Sequence, residues 1–236
     1  MKKKTNIALI GYHDGSAGQI NSWINEQNDY EISLFCVGIN NNFKYPDIEY
    51  ENSKKNIKNT SFPENKSFQN KLFVDHDNWI DEIINKNIGN VICLNENNQL
   101  RHNEIQLCEQ RNLNLINIIH PTVKIMKDVK IGSGVWINAN SYIGYKSQIG
   151  NGVIINSSCS IDHHNLIENY SQIDPGVVTA GNVTIKKYAH VHTHATIVNK
   201  IIIEENVEIS AGSVVFKNTK KNNLYIGNPA RLINKG

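Results

Sequence analysis

From Ile125 onward, one aliphatic residue recurs at every sixth position: Ile131, Ile137, Ile143, Ile149, Ile155, Ile161, Ile167, Ile173, then Ile185, Val191, Ile197, Ile203, Ile209 and Val215. Thr179 is the one break. Composition alone fills roughly a quarter of such positions with aliphatic side chains. A second register, two residues earlier, runs from Val123 to Ser213 and holds mostly small or β-branched residues, with Asn165 among them. A period of six is neither that of a helix nor that of a lone strand. It fits a coil of short strands and tight corners, three hexads to a turn, so that each inward residue stacks on the one 18 positions later at a spacing of roughly 4.8 Å. β-Branched residues suit such flat buried ladders. The pattern predicts a parallel β-coil over Pro121 to Val215 of roughly five turns. Gly132, Gly144 and Gly150 follow inward residues, as do Asn138 and Asn156. These slots are expected to need unusual backbone angles. Periodicity does not set the hand of the coil, and parallel crossovers are usually right-handed.

The first half has a different grammar. Asn6 to Gly11 reads as a strand, followed by a Gly-rich loop through Gly18 and a helix marked by Ile20, Trp23 and Ile24. Tyr30–Val37 and Asn90–Leu94 read as strands, Trp79–Ile84 and Asn98–Arg111 as helices, and Asn114–Ile119 as one further strand. Alternation of this kind predicts a small parallel α/β sheet. The Asn- and Lys-rich stretch from Asn40 to Gln69 reads as irregular surface with at most one short strand. We therefore expect a small α/β domain over residues 1–117 and a β-coil domain over 118–236. With 24 basic and 22 acidic residues, the charge is too balanced to argue for a nucleic-acid partner. The short run Ile7-Ala8-Leu9-Ile10 is far below the ~20 apolar residues of a membrane span, and nothing resembles a signal peptide. A cytoplasmic protein without membrane association is expected. Cys36, Cys93, Cys108 and Cys159 have no C-x-x-C spacing and read as small core residues.

Several stretches of the second half resemble the hexapeptide-repeat sugar acetyltransferases of the PglD/NeuD-like family. They are Ile119-His120-Pro121, Ile161-Asp162-His163-His164, Asp174-Pro175-Gly176-Val177, Ala180-Gly181-Asn182-Val183 and Ile226-Gly227-Asn228-Pro229-Ala230-Arg231. The resemblance implies a left-handed β-helix that trimerises, with acetyl-CoA in the groove between neighbouring copies. It also implies a Rossmann-like N-terminal domain that holds a nucleotide-linked sugar. The implied activity is acetyl-CoA-dependent N-acetylation of an amino sugar for a bacterial surface glycan, with no metal.

The resemblance puts His163 at the place of the catalytic base, and a histidine suits proton transfer near neutral pH. Relatives often carry an acidic residue next, where this chain has His164. A neutral or cationic neighbour there is expected to lower the basicity of His163. Asp162 is a candidate to orient His163, and His164 is the alternative base. Gln172 stands where many relatives have a histidine near the thioester, and glutamine keeps a donor without a titrating charge. A plain surface glutamine is the competing reading. Gly181 implies a backbone N–H close to the acetyl oxygen. Thr193 and Ala211 match positions lining the coenzyme groove, and Arg231 could pair with a phosphate. In the first half, Gly11-x-x-x-Gly15-x-x-Gly18 is not a dinucleotide fingerprint. Gly15, Ser16 and Gly18 still offer backbone N–H groups at a helix start for a pyrophosphate.

Other readings stay open at this point. A histidine base serves sugar O-acetylation equally well. His190, His192 and His194 alternate as on one strand face and bring to mind the zinc histidines of γ-class carbonic anhydrases, although the ligand spacing of those enzymes is missing. A non-catalytic trimeric scaffold that binds a nucleotide sugar is the remaining alternative.

Overall fold

The computed structural model describes residues 4–27, 29–39, 67–74 and 78–233. Most of the Asn- and Lys-rich stretch lies outside the described residues. In the first half, β1 (Thr5–Ile10), α1 (Asp14–Gln27) and β2 (Tyr30–Cys36) are followed by β3 (Ser67–Phe68), β4 (Lys71–Val74) and α2 (Trp79–Asn85). Then come β5 (Asn90–Cys93), α3 (Asn98–Gln110) and β6 (Asn114–Leu115). The sheet order is β3-β4-β2-β1-β5-β6, parallel except for the β3–β4 hairpin. The chain builds outward from β1 on one side and then crosses to β5 on the other. The crevice at the carboxyl ends of β1 and β5 is therefore the topological switch point where α/β sheets take ligands. Gly11 ends β1 there at φ +80°, and a Cβ on it would stand 2.5 Å from the Asn95 nitrogen.

Two local readings need correction. The Gly-rich segment is not a loop through Gly18, because α1 already begins at Asp14. Asn114–Ile119 is not one strand: Asn114–Leu115 closes the first sheet, whereas Ile118–Ile119 opens the next unit by pairing with Trp136–Ile137. The strand β4 carried no signal strong enough to be read from the sequence.

The second half is a left-handed parallel β-helix. Its first face stacks Ile118–Ile119, Trp136–Ile137, Ile154–Ile155, Gln172–Ile173, His190–Val191 and Glu208–Ile209. The second runs from Lys124–Ile125 to Val214–Val215 and the third from Lys130–Ile131 to Ile202–Ile203. Each strand pairs in register with the one 18 residues on, for example Ile143↔Ile161 and Ile161↔Thr179. The inward row from Ile137 to Val215 is buried, each isoleucine contributing roughly 1.5–3 kcal/mol.

The corners differ from expectation. Gly132, Gly144 and Gly150 are not in the left-handed region, and neither are Asn138 and Asn156. The special angle falls two residues later, at the third residue after each inward side chain, from Asp128 (φ +62°) through Gly212 (φ +66°) without exception. The three glycines answer a different constraint. A Cβ at Gly144 would stand 2.7 Å from the His163 nitrogen on the coil above, and one at Gly150 2.6 Å from that of Asn169. Backbone approach between coils, not φ, excludes a side chain there.

The two halves share a core. Ile118, Trp136 and Ile154 project outward from the first face and are buried against Ile20, Trp23 and Ile24 of α1 and its sheet. Arg101 of α3 is fully buried at the same junction. Its guanidinium donates to the carbonyls of Gly152 (2.8 Å), Asn95 (2.6 Å) and Tyr170 (2.9 Å), and to Asn98 Oδ1 (2.7 Å). His102 stacks on Tyr170 at 4.1 Å between ring centres, and its Nδ1 lies 2.6 Å from the Tyr188 hydroxyl. These contacts tie α3 to the edge between the third and first faces.

Candidate active site

Asp162, His163, His164 and Asn165 form one corner between the second and third faces, directly after the inward Ile161. His163 and His164 are exposed, and their rings stand nearly perpendicular with Nδ1 3.0 Å from Nδ1. Two nitrogens at that distance share one proton. If His163 carries it, its Nε2 keeps the lone pair a base needs, and taking a second proton there leaves the Nδ1–H···Nδ1 bond unbroken. With the proton on His163, His164 is the acceptor that fixes the tautomer of His163; with the proton on His164 the roles reverse. His164 itself sits at φ +56°, the left-handed corner position. The Asp162 carboxylate accepts from the His163 backbone N–H at 2.7 Å, so it steadies the turn instead of the imidazole.

The break at Thr179 has a partner. Asn165, in the small-residue register, is buried. Its amide nitrogen donates toward the carbonyls of Asp162 (2.7 Å) and Ala180 (3.1 Å) and the Thr179 hydroxyl (3.1 Å). Its oxygen accepts from the Val183 N–H at 2.7 Å. A buried amide needs partners on both ends, and Thr179 replaces an aliphatic residue to supply one. The network clamps the histidine corner to the corner one coil above. Sequence reading passed over Asn165. The available signal was a polar residue in the small register coinciding with the single polar residue in the inward row.

Gly181 lies on that upper corner, and the His163 ring occupies the space beside it: a Cβ at 181 would contact Cε1 and stand 2.6 Å from Nε2. A side chain at 181 would displace the imidazole. The backbone N–H of Gly181 has no acceptor among the described residues.

Gln172 lies on the first face and is 5 % exposed, so it is not a surface glutamine. Its amide donates to Asp174 Oδ1 at 3.0 Å, joined there by Asn156 Nδ2 at 3.3 Å. Asp174 Oδ2 lies 2.9 Å from His190 Nε2 and 3.2 Å from His192 Nδ1. Burial pushes the Asp174 carboxyl up, but the hydrogen bonds from His190, His192 and Gln172 outweigh it and hold the group well below the usual carboxylate range. The three alternating histidines do not act as a set. His194 turns away at the left-handed corner, with its ring against Gly176.

Thr193 and Ala211 follow Val191 and Ile209 on the edge between the first and second faces, a different edge from that of His163 and Gly181. Arg231 is exposed on a terminal hairpin, where Leu224–Ile226 pairs antiparallel with Arg231–Ile233. In the first half, Gly15 and Ser16 occupy the first turn of α1, at the carboxyl edge of β1. Ser16 Oγ lies 3.4 Å from Glu96 Oε1, so a carboxylate already faces that helix start. Gly18 lies one turn further, facing Phe68 and Gln69 of the β3–β4 hairpin. Gln19 accepts from Asn138 of the β-helix at 3.1 Å.

The family model for the bacterial transferase hexapeptide (six repeats) matches residues 128–163. A histidine-to-alanine variant of GDP-perosamine N-acetyltransferase from Caulobacter crescentus, in complex with CoA and GDP-perosamine, is similar over 98 % of this chain and 98 % of its own, at 18 % identity and a TM-score of 0.80. The acetyltransferase domain of PglB from Neisseria gonorrhoeae, in complex with acetyl coenzyme A, is similar over 98 % of this chain and all of its own, at 19 % identity and a TM-score of 0.77. WeeI from Acinetobacter baumannii matches over the same shares at 17 % identity and a TM-score of 0.75. The chain thus carries a hexapeptide-transferase repeat within the two-domain fold of these proteins, an α/β domain followed by a left-handed β-helix.

Proposed function

We propose that this protein is an acetyl-CoA-dependent N-acetyltransferase that acts on a nucleotide-linked amino sugar of a bacterial surface glycan. The observation that carries this reading is the His163 imidazole, set against Gly181 with its Nδ1 fixed by His164. The similar proteins of known structure, one bound to CoA and GDP-perosamine and another to acetyl coenzyme A, support the donor and the acceptor class. Acetyl-CoA supplies an acetyl group as a thioester. As the amine nitrogen bonds to the acetyl carbon, His163 Nε2 takes the amine proton, and the thiol of coenzyme A departs with a proton returned to it. Gly181 N–H, free of an internal acceptor and unshielded by any Cβ, is suited to receive the negative charge on the acetyl oxygen. Residues 1–117 would hold the nucleotide at the switch point beside Gly15, Ser16 and Gly18, and residues 118–236 would carry the transfer.

The reading includes a homotrimer. The α/β domain covers the first face at Ile118, Trp136 and Ile154, whereas His163 and Gly181 belong to the opposite edge, and Thr193 and Ala211 to a third location. One chain does not bring them together, so the site is completed by a second copy that presents Thr193, Ala211 and Arg231 across the groove, with Gln172 behind them against Asp174. No helix among the described residues is long and apolar enough to cross a membrane, and use of a coenzyme A thioester argues for the cytoplasm. The test is release of coenzyme A thiol from acetyl-CoA with amino sugars linked to GDP, UDP or dTDP, with the product bond identified as amide by mass spectrometry. Thiol release with no member of the panel overturns the reading, and an ester product replaces N-transfer by O-transfer.

A further inference from the structure

The first face of the β-helix holds a group that the transfer chemistry does not use. Asp174, His190 and His192 come from two successive coils, and one atom of each lies within 4.8 Å of the others. Both imidazoles address the same oxygen: Asp174 Oδ2 stands 2.9 Å from His190 Nε2 and 3.2 Å from His192 Nδ1. Two ligands of a tetrahedral zinc with bonds of about 2.0–2.1 Å stand roughly 3.3–3.4 Å apart. The Asp174–His192 separation is near that edge, and the Asp174–His190 separation is shorter by roughly half an ångström. The second carboxylate oxygen is held by Gln172 and Asn156, as carboxylate ligands are commonly held by outer partners. The three side chains are 15–34 % exposed, so an ion can enter and keep open positions.

We propose that Asp174 Oδ2, His190 Nε2 and His192 Nδ1 form a binding site for a first-row divalent cation such as Zn²⁺ or Co²⁺. Imidazole and carboxylate are the donors such ions take, and two histidines with one carboxylate leave part of the coordination sphere open. Binding demands little of the protein. Each neutral imidazole moves its proton to the other ring nitrogen, and the ion takes the place of the two hydrogens now directed at Oδ2. His194 takes no part, because its ring packs on Gly176.

The experiment uses untagged full-length protein stripped with a chelator. Co²⁺ is titrated with visible absorption as the readout, and Zn²⁺ by calorimetry. One ion per chain is expected, with about 100-fold weaker binding in His192→Ala and Asp174→Asn. Asn156→Ser, which removes an outer partner, should weaken binding about 10-fold. Circular dichroism of each metal-free variant confirms that it is folded, and His192→Gln serves if His192→Ala is not. Absence of saturable binding in the wild-type protein overturns the proposal and leaves a hydrogen-bonded network only. Equal affinity in folded His192→Ala overturns it as well. Neither result depends on whether acetyl transfer is detected.

Discussion

The His163 imidazole fills the space that a side chain at Gly181 would need, 18 residues on and one coil higher. Substituting Gly181→Ala pushes a methyl group into that ring while leaving the inward core untouched. Turnover should fall by about 100-fold, the scale of a displacement near 1 Å in a catalytic group. The melting temperature should stay within a few degrees of wild type. Steady-state kinetics and a thermal melt on the same preparation check this, and unchanged kcat would detach Gly181 from the chemistry.

His163→Ala removes the proposed base and should lower kcat by roughly 10²–10⁴-fold. His164 separates two roles. His164→Asn tolerates the left-handed corner and keeps an acceptor for the His163 ring, so a substantial part of the activity should remain. His164→Val has no acceptor and a β-branched side chain at φ +56°; it should lose both activity and about 1–2 kcal/mol of stability. Should His164→Asn abolish turnover while His163→Ala retains it, His164 is the base.

Asn165 and Thr179 make a matched pair for double-mutant analysis. Asn165→Ala strands the Val183 N–H and the Ala180 carbonyl, while the Asp162 carbonyl keeps the Ser147 hydroxyl at 2.8 Å, and should cost about 2–4 kcal/mol. Thr179→Val restores an aliphatic inward row and removes one of several acceptors, so its cost should stay near or below about 1 kcal/mol. The double variant should be less destabilised than the sum of the two, because the hydroxyl has no role once the amide is gone. Urea denaturation at fixed protein concentration measures all three.

Glu104 gives the α/β domain a pH signature. Burial pushes its carboxyl up to about 7, against the hydrogen bonds from Asn95 and the Ile39 N–H that favour the ionised form. The native pKa exceeds the unfolded one, so between about pH 4.5 and 7 the native state binds more protons. The contribution from this group is fully present below the unfolded value and is lost as pH rises toward 7. Glu104→Gln should flatten stability against pH across that window, which denaturation midpoints at pH 5 and pH 8 will show. An unchanged slope would mean that Glu104 does not titrate there.

Arg101 binds backbone on both sides of the domain junction. Arg101→Met leaves the carbonyls of Gly152, Asn95 and Tyr170 without their donor and should cost about 3–5 kcal/mol, as when one partner is removed from a buried network. A single thermal transition in the wild-type protein should separate into two in the variant, and calorimetry distinguishes these cases.

The β-helix was legible because its core is a one-dimensional pattern. An inward row at a fixed period needs no knowledge of distant contacts, and Ile125 to Val215 spell it out. The corners were less legible. The sequence shows glycine at 132, 144 and 150, and the eye assigns it to torsional freedom, whereas close backbone approach from the next coil is the cause. The left-handed positions hold Lys146, Tyr170 and Tyr188 as readily as Gly134, so composition does not mark them. In the first half, β4 is four residues long and follows the Asn-rich stretch, and its pairing with β2 is wholly non-local. The site divides in the same way. His163 and Gly181 fall on the grid and on a known motif. The Nδ1–Nδ1 pairing, the Asn165 clamp and the sharing of Asp174 by His190 and His192 depend on rotamers that spacing does not encode.

The regular corner angle has a consequence for how such a chain can change over evolutionary time. The second and third residues after each inward side chain project outside the prism and add nothing to its packed interior. Chemistry placed there, such as His163 and His164, can be exchanged for other side chains without renegotiating the core, provided that the corner residue accepts a positive φ and the coil above leaves room. The β-helix separates what must be kept to fold from what can be altered to act. New acceptors or new reactivity can therefore arise by single replacements at the corners, with the inward row left as it is.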